Sequence, residues 1–169
     1  METRKLPAHT PMSQFSSQGN ELVVGGIPLS QLAARVGRTP FYAYNRQLLT
    51  QRVAELRAVL PPQIKLHYAM KANPMPALVC HMATLVDGID VASAGELMVA
   101  LDAGANPREV SFAGPGKSNA ELRQAVAAGI LINVESFREV PVLAAVSAEL
   151  GLRALQCAST RTSSSSLPA

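Results

Sequence analysis

Polar side chains follow four short apolar runs in this sequence, and one of them is a lysine whose amine could react. Lys71 and Asn73 follow the first run, whereas Asp90 lies in the second, Ser93 directly follows it and Glu96 comes just behind. Desolvation at the end of a buried strand lowers the pKa of a lysine and can make its amine reactive, whereas nearby carboxylates oppose that shift. Such an amine suits Schiff-base chemistry with an aldehyde cofactor or a carbonyl substrate. We therefore take Lys71 as the candidate nucleophile.

The third and fourth apolar runs contribute further polar candidates. The loop at residues 114–117, Gly-Pro-Gly-Lys, follows the third run, while Asn133 lies near the end of the fourth run and Glu135 directly follows it. Barrels and open α/β sheets form their sites at the carboxyl ends of their strands. All of these residues are therefore candidates for the same site.

Each candidate also has a purely structural interpretation. Most lysines at strand ends are solvated surface charges, and the same could hold for Lys71. His67 shares its strand parity with Lys71 and could point inwards, as a hydrogen-bonded core histidine. A tight turn explains residues 114–116, which match neither a P-loop nor a dinucleotide-binding fingerprint. Cys80 and His81 lack partners at metal-ligand spacing, so no metal site is predicted.

Strands that alternate with helices must position the candidates. Apolar runs over residues 64–70, 89–92, 110–113 and 130–134 predict strands, each followed by a helical pattern. Helix starts are marked by Ser-x-x-Glu capping boxes, which suffice to explain their glutamates: Ser93 with Glu96, Ser118 with Glu121, and Ser136 with Glu139. Helix ends are expected near three glycines: Gly104, Gly129 and Gly151.

The spacing of these strands, about 20 to 25 residues, is typical of βα units with a parallel sheet. A closed (β/α)8 barrel needs eight such units and about 250 residues, whereas four units are visible here. The sequence therefore predicts an α/β fold that is either half a barrel or a small open sheet.

The N-terminal part follows a different pattern. Residues 1–20 are polar and aperiodic, so we predict a flexible leader there. An aromatic run over residues 39–44 predicts a short strand. Asn45 then caps a predicted helix that stops before Pro61 and Pro62. The apolar stripe of that helix comprises Leu48, Leu49, Val53, Leu56, Val59 and Leu60.

Composition excludes several classes of protein. The 169 residues are 48% apolar and 16% charged, which is enough apolar material for a folded core. Apolar runs are too short to span a membrane, and the N-terminus lacks a secretory apolar segment. Two cysteines make no disulfide framework, and the net charge of +3 forms no basic stripe with aromatics. We expect a cytoplasmic globular chain without nucleic-acid or membrane partners.

Four motifs, in order and spacing, resemble one family. They are Tyr-Ala-Met-Lys-Ala-Asn at 68–73, Asp-Val-Ala-Ser-Ala-Gly-Glu-Leu at 90–97, Ala-Gly-Pro-Gly-Lys at 113–117, and Asn-Val-Glu-Ser at 133–136. The chain resembles the fold-type III pyridoxal-phosphate decarboxylases, which act on diaminopimelate, ornithine or arginine and have an alanine-racemase-like barrel. Thr-Pro-Phe-Tyr-Ala-Tyr at 39–44 is similar to the family's opening strand. The resemblance covers residues 21–153 and is strongest to the subgroup associated with exopolysaccharide and exosortase gene clusters.

This resemblance implies a role for each candidate. Lys71 would form the Schiff base with pyridoxal 5'-phosphate, with Asp90 close by. Glu96 would help position the cofactor and lysine, and Ser93 and the loop at 114–117 would line the pocket. In the family the substrate amine displaces the lysine, carbon dioxide leaves, and the cofactor ring delocalises the carbanion. The implied activity is amino-acid decarboxylation.

Other family features are expected outside this chain. The resemblance implies that the ring-stacking histidine, the phosphate-binding glycine loop, the glutamate at the pyridine nitrogen and the C-terminal β-domain follow later in the family. Family members are homodimers that share active-site residues. The family commonly has Asp where this chain has Asn45. We therefore expect residues 21–153 to be the N-terminal half of a cofactor-binding barrel, inactive and aggregation-prone alone, and dimeric only with a full-length partner.

The last segment breaks the pattern. Residues 154–169 contain seven Ser or Thr where a fifth strand is due, so we predict a disordered tail. Suitable codons read in another frame would spell Arg-Val-Asn-Pro, the strand that the family places there. A frameshift near codon 153 is therefore our hypothesis. Two further functions stay open, which are a non-catalytic pyridoxal-phosphate carrier and an inactive partner that docks on a full-length decarboxylase.

Overall fold

The N-terminal unit contains a small antiparallel sheet and two helices. The computed structural model describes residues 13–158 and divides into two units between Ala58 and Val59. In the first unit the strands β1 (Ser16–Gln18), β2 (Glu21–Val24) and β3 (Ile27–Pro28) lie in sequential order. Helices α1 (Leu29–Val36) and α2 (Arg46–Val59) follow. Gly25 and Gly26 join β2 to β3 with φ of 59° and 80°, which a two-residue hairpin turn requires.

Two predictions for this unit need correction. The leader predicted over residues 1–20 is wrong for Ser16–Gln18, which pairs with β2, while residues 1–12 lie outside the described residues. The strand predicted over residues 39–44 does not form, and Tyr42 is 92% exposed there. Aromatic residues favour a strand only where a partner strand and a packing surface exist.

The cap and the limits of α2 agree with the sequence. The Asn45 side chain accepts a hydrogen bond from the Gln47 backbone N–H at 2.9 Å, which satisfies a free donor in the first turn. The helix ends at Val59, before Pro61 and Pro62. With 14 residues it is the longest helix described. Over residues 13–158, none of the helices is long and apolar enough to cross a membrane.

The second unit is a five-stranded parallel sheet with helices between its strands. The strands are β4 (His67–Ala69), β5 (Gly88–Val91), β6 (Val110–Phe112), β7 (Leu131–Val134) and β8 (Leu155–Ala158), ordered β4-β5-β6-β7-β8. The helices are α3 (Pro76–Ala83), α4 (Ala94–Asp102), α5 (Asn119–Ala128) and α6 (Glu139–Leu150), with short 3-10 helices at Met70–Ala72 and Pro107–Glu109. The predicted α/β fold with a parallel sheet is confirmed.

Strand order distinguishes the two architectures left open by the sequence. A doubly wound sheet reverses its strand order at a switch point, whereas a barrel adds each strand beside the previous one. All four neighbouring pairs from β4 to β8 are parallel and sequential. The second unit therefore has the architecture of a partial (β/α)8 barrel.

The core lies between the sheet and its helices. One face of the strands β4 to β7 supplies apolar side chains, such as Ile89 and Val91 from β5 and Val110 and Phe112 from β6, all at most 2% exposed. Helix residues that pack in the same cluster include Val79, Leu97, Leu122, Val126 and Leu143. The opposite face carries His67, Asp90, Ser111 and Asn133, none of which belongs to this core. The sheet thus has one apolar face and one polar face.

The tail prediction is wrong where the tail begins. Leu155–Ala158 forms β8, the fifth strand, and pairs in parallel with β7 from Leu131 to Val134. The free edge of β7 offers unpaired backbone groups, which a short segment can satisfy whatever its side chains are. Leu155 is 43% exposed. Residues 159–169, which carry most of the predicted disordered tail, lie outside the described residues.

Of the three predicted capping boxes, one is complete, one is half formed and one is absent. Ser118 forms a full capping box with Glu121. The Ser93 hydroxyl accepts from the Glu96 N–H at 3.2 Å, but the Glu96 carboxylate bonds the Ala92 N–H rather than that of Ser93. The box predicted at Ser136 is absent because its hydroxyl accepts from the Arg138 N–H instead. Gly129 and Gly151 end α5 and α6 in the left-handed conformation, and Gly104 lies two residues beyond α4.

The Ser118 capping box gives the first testable prediction. Hydrogen bonds from the Ser118 backbone and side chain hold the pKa of Glu121 below its ordinary value, helped by the Ala94 N–H and the Lys117 charge. A lowered folded-state pKa stabilises the fold above the ordinary glutamate pKa of about 4.3, and this stabilisation disappears as the pH falls through the lower value. Glu121→Gln should therefore make the acid-side loss of stability less steep.

The same box can be tested from its serine side. Ser118→Ala should lower the free energy of unfolding at pH 7 by about 1 kcal/mol. It should also make the free energy of unfolding fall less steeply as the pH is lowered. Urea unfolding at several pH values measures both effects. Ser118→Thr, which keeps the hydroxyl, is the matched control and should retain the parent pH profile. If Glu121→Gln loses stability in acid as steeply as the parent protein, the lowered pKa of Glu121 is contradicted.

Candidate functional site

A pocket of about 400 Å³ opens at the carboxyl ends of β4 to β7, on the polar face of the sheet. Its volume is within the usual range for small-molecule sites. Polar side chains line it from four consecutive βα units: Lys71, Asp90, Ser111, Asn133 and Glu135. The structure thus brings together four of the residues that follow the predicted strands, and it adds Ser111.

Lys71 lies in the 3-10 helix that directly follows β4. Met70, completely buried, anchors this turn to the core, while the neighbouring Lys71 is exposed and lines the pocket. The Tyr68 hydroxyl donates to the Asn73 carbonyl at 2.9 Å. The Asn73 side chain in turn accepts from the Met75 N–H at 3.0 Å, so Asn73 shapes the turn and does not line the pocket. The lysine amine is therefore held at the pocket by a braced turn.

Asp90 lies in the middle of the polar face and contacts both neighbouring strands. Its Oδ1 accepts from the Ser111 hydroxyl at 2.6 Å. The same oxygen lies 3.0 Å from Nδ1 of His67. Ser111 is 8% exposed, whereas the Asp90 side chain is 41% exposed. Both contacts engage one oxygen, which leaves Oδ2 available to a group in the pocket.

Ser93 and Glu96 lie at the start of α4 and are not among the residues that line the pocket. Glu96 Oε2 accepts the Ala92 N–H at 2.6 Å, and the Ser93 hydroxyl accepts the Glu96 N–H. Both side chains therefore shape the loop that leaves β5. The cofactor contacts predicted for them stay a prediction.

Carboxylates also connect each loop to its neighbour. Glu121, in α5, accepts the Ala94 N–H of the preceding unit at 3.1 Å. Glu135, after β7, accepts the Gly114 N–H at 2.7 Å. An ionised acceptor strengthens such bonds relative to neutral ones. The loops around the pocket are thus held in register by these acidic side chains.

A buried ion pair supports the loop at residues 114–117. Lys117 and Glu139 are 2% and 0% exposed, and Nζ lies 3.2 Å from Oε1. Nζ also donates to the Gly114 carbonyl at 2.5 Å and lies 5.9 Å from the centre of the Phe112 ring. This corrects the sequence interpretation of Glu139 as a capping residue. Glu139 Oε2 accepts the Glu135 N–H at 3.0 Å, and its other oxygen faces the buried lysine.

Sequence reasoning missed Ser111, the Lys117–Glu139 pair and the contact of His67 with Asp90. Ser111 sits between Val110 and Phe112, and this alternation was the available signal for a residue on the polar face. Lys117 and Glu139 are 22 positions apart, and His67 and Asp90 are 23 positions apart. A single sequence contains no local pattern that predicts contacts over such distances.

Comparison with known proteins gives a consistent result. The profile of the family described as pyridoxal-dependent decarboxylase, pyridoxal binding domain, matches residues 46–166. Diaminopimelate decarboxylase of Zymomonas mobilis is 38% identical over 148 residues, covering 85% of this chain and 35% of the relative. The Aquifex aeolicus diaminopimelate decarboxylase is 39% identical over 150 residues, covering 88% and 35%. The chain thus spans about a third of the length of these curated relatives.

Solved structures agree with this comparison. A crystal structure of an Aquifex aeolicus protein superposes with a TM-score of 0.80 at 36% identity, covering 85% of this chain and 36% of that one. Diaminopimelate decarboxylase from Helicobacter pylori, solved in complex with L-lysine, gives a TM-score of 0.70 at 32% identity, covering 76% and 33%. The partial barrel therefore matches the N-terminal barrel domain of these enzymes.

The buried pair generates the second prediction. Glu139→Gln leaves the Lys117 charge buried without a counter-ion, so the free energy of unfolding should fall by about 3 kcal/mol. Lys117→Met should have a comparable effect. The double variant should be less destabilised than the sum of the two, because neither charge remains buried alone.

Urea unfolding of the four proteins at pH 7 measures this coupling. Glu149→Gln, which breaks the exposed pair with Arg123, is the matched control and should leave the midpoint unchanged. Strictly additive effects of the two buried substitutions would show that the charges do not stabilise each other.

Proposed function

The chain belongs to the pyridoxal-dependent decarboxylase family, whose pyridoxal-binding domain it contains, and we propose that Lys71 binds pyridoxal 5'-phosphate for the decarboxylation of an amino acid. One observation carries the proposal. The amine of Lys71 is exposed at a pocket whose other polar lining comes from three neighbouring strands and loops.

The residues present fit the aldehyde part of the cofactor. Lys71 Nζ would hold the aldehyde carbon, with loss of one water molecule. Bound in this way, the cofactor supplies the electron sink that decarboxylation requires. The protein contributes orientation and charge. Asp90, fixed by Ser111, places a carboxylate in the same pocket, and Asn133 adds an amide that can donate or accept hydrogen bonds.

The phosphate part needs further donors. Among the described residues that line the pocket, Lys71 is the single cation, and the Gly114 N–H already donates to Glu135. A phosphate dianion needs several N–H or O–H donors or a helix N-terminus. We therefore propose that the complete site, and decarboxylation itself, require the remaining length that the relatives have. The isolated chain should attach the cofactor weakly and release no carbon dioxide.

The substrate class follows from the relatives. Those compared above are named diaminopimelate decarboxylases, and the Helicobacter pylori enzyme holds L-lysine in its crystal structure. We infer an α-amino acid as the substrate of the complete protein.

Trapping the amine tests the proposal. Pyridoxal 5'-phosphate at equimolar concentration, followed by borohydride, should label Lys71 in the folded chain by reducing the carbon–nitrogen double bond to a stable secondary amine. Peptide mass mapping reads the label at each lysine. Lys71→Ala should abolish most of the labelling. Lys65→Ala is the matched control, because Lys65 is exposed and paired with Glu109 outside the pocket.

Two results would contradict parts of this proposal. Equal labelling of Lys65 and Lys71 would show that the pocket adds nothing to the reactivity of a surface amine. Selective labelling of Lys71, combined with no carbon dioxide release from any amino acid by a full-length form, would favour a non-catalytic cofactor carrier instead.

A further inference from the structure

The imidazole of His67 occupies a space that glycine at position 88 leaves open. His67 and Gly88 are aligned partners in β4 and β5. A Cβ atom on residue 88 would lie 2.5 Å from Cε1 of His67 and 2.6 Å from its Nε2. The backbone oxygen of Glu109 would lie 2.2 Å from the same atom on the other side. The ring is therefore seated across Gly88 between two strands.

In this position the imidazole ring contacts Asp90, which follows Gly88 on the same face of β5. His67 Nδ1 lies 3.0 Å from Asp90 Oδ1, which also accepts from Ser111 in β6. Three adjacent strands thus contribute one residue each to a connected network. An ionised carboxylate can only accept hydrogen bonds, so Nδ1 of His67 must carry the proton in this contact. The tautomer of the ring is thereby assigned by its partner.

We propose that His67 is a positioning residue of the Lys71 site, which holds the Asp90 carboxylate in one orientation at the pocket. The inference rests on the proposed function, because it concerns the surroundings of the same lysine. Two donors on Oδ1 restrict the rotation of the Asp90 side chain. Its second oxygen then presents a fixed negative charge in the pocket that Lys71 lines.

The position of His67 argues against a merely structural histidine. Its side chain is 25% exposed and lies on the polar face, outside the apolar cluster between sheet and helices. A core histidine would contribute to packing and leave the chemistry of Lys71 unchanged. A positioning histidine should instead change the reactivity of Lys71 when it is replaced, even where the fold is retained.

The first measurement needs no cofactor. Nitrogen-15 NMR of the imidazole should show a protonated Nδ1 on His67 at neutral pH, and Asp90→Asn should change that signal. An unprotonated Nδ1 would overturn the proposal, whatever happens to Lys71. Because this spectrum is independent of cofactor binding, it distinguishes a failure of the His67 assignment from a failure of the proposed function.

The second measurement is the rate of Lys71 labelling by pyridoxal 5'-phosphate and borohydride as a function of pH. His67→Phe keeps a ring but removes the donor. A fixed Asp90 charge favours the cationic, protonated Schiff base that borohydride reduces, so this variant should lower the labelling rate about threefold to tenfold, the range expected for one hydrogen bond. His67→Gln, whose amide can donate to Asp90, should recover part of the loss. In a protein that already carries Asp90→Asn, the further substitution His67→Phe should change the labelling rate little, because both substitutions act through the Asp90 carboxylate.

Controls separate positioning from folding. His81→Phe, the same substitution on helix α3 outside the pocket, should leave the rate and its pH profile unchanged. If His67→Phe fails to fold, Ser111→Ala removes the other donor to Asp90 and should lower the rate in the same way. A His67→Phe protein with lower stability but the parent rate and pH profile would overturn the proposal and leave His67 a structural residue.

Discussion

The two-residue alternation of the parallel strands is the constraint on which the rest of this structure depends. In β5, Ile89 and Val91 are buried against the helices, and Asp90 between them faces the opposite side. In β6, Val110 and Phe112 likewise enclose Ser111. A shift of one residue in register would bury the carboxylate and expose the core, at a cost that no local contact could offset. Stability and site are therefore set by the same backbone register.

Acidic side chains extend this register from the strands to the loops. Strands of three or four residues end abruptly, and the backbone N–H groups beyond them need acceptors. Glu96, Glu121, Glu135 and Glu139 each accept such a group: those of Ala92, Ala94, Gly114 and Glu135, respectively. Two of these bonds, those of Glu121 and Glu135, join one βα unit to the one before it. The loops around the pocket are thus hydrogen-bonded to one another and are not independent.

The parts of the fold that sequence predicted are those with a local physical signature. The four strands between residues 64 and 134 and the caps at Asn45 and Ser118 all depend on neighbours within a few residues. The role of Lys71 stays a prediction. The parts that it missed depend on distant partners. β8 forms because β7 offers an edge, although the Ser- and Thr-rich sequence that follows it suggested disorder for the whole segment. Glu139 has the spacing of a capping residue, yet a lysine 22 positions earlier determines its role.

The placement of the described lysines shows how one residue type can serve either to support the fold or to do chemistry. Three lysines lie in the described part of the chain, and their surroundings differ sharply. Lys65 is exposed and paired with Glu109, while Lys117 is buried and held by Glu139 and the Gly114 carbonyl. Lys71 is exposed at the pocket. A buried amine that is held by a carboxylate and a carbonyl lacks the access that a nucleophile needs. Lys117 can therefore hold the loop rigid while Lys71, anchored only through Met70 and its braced turn, stays accessible to an aldehyde.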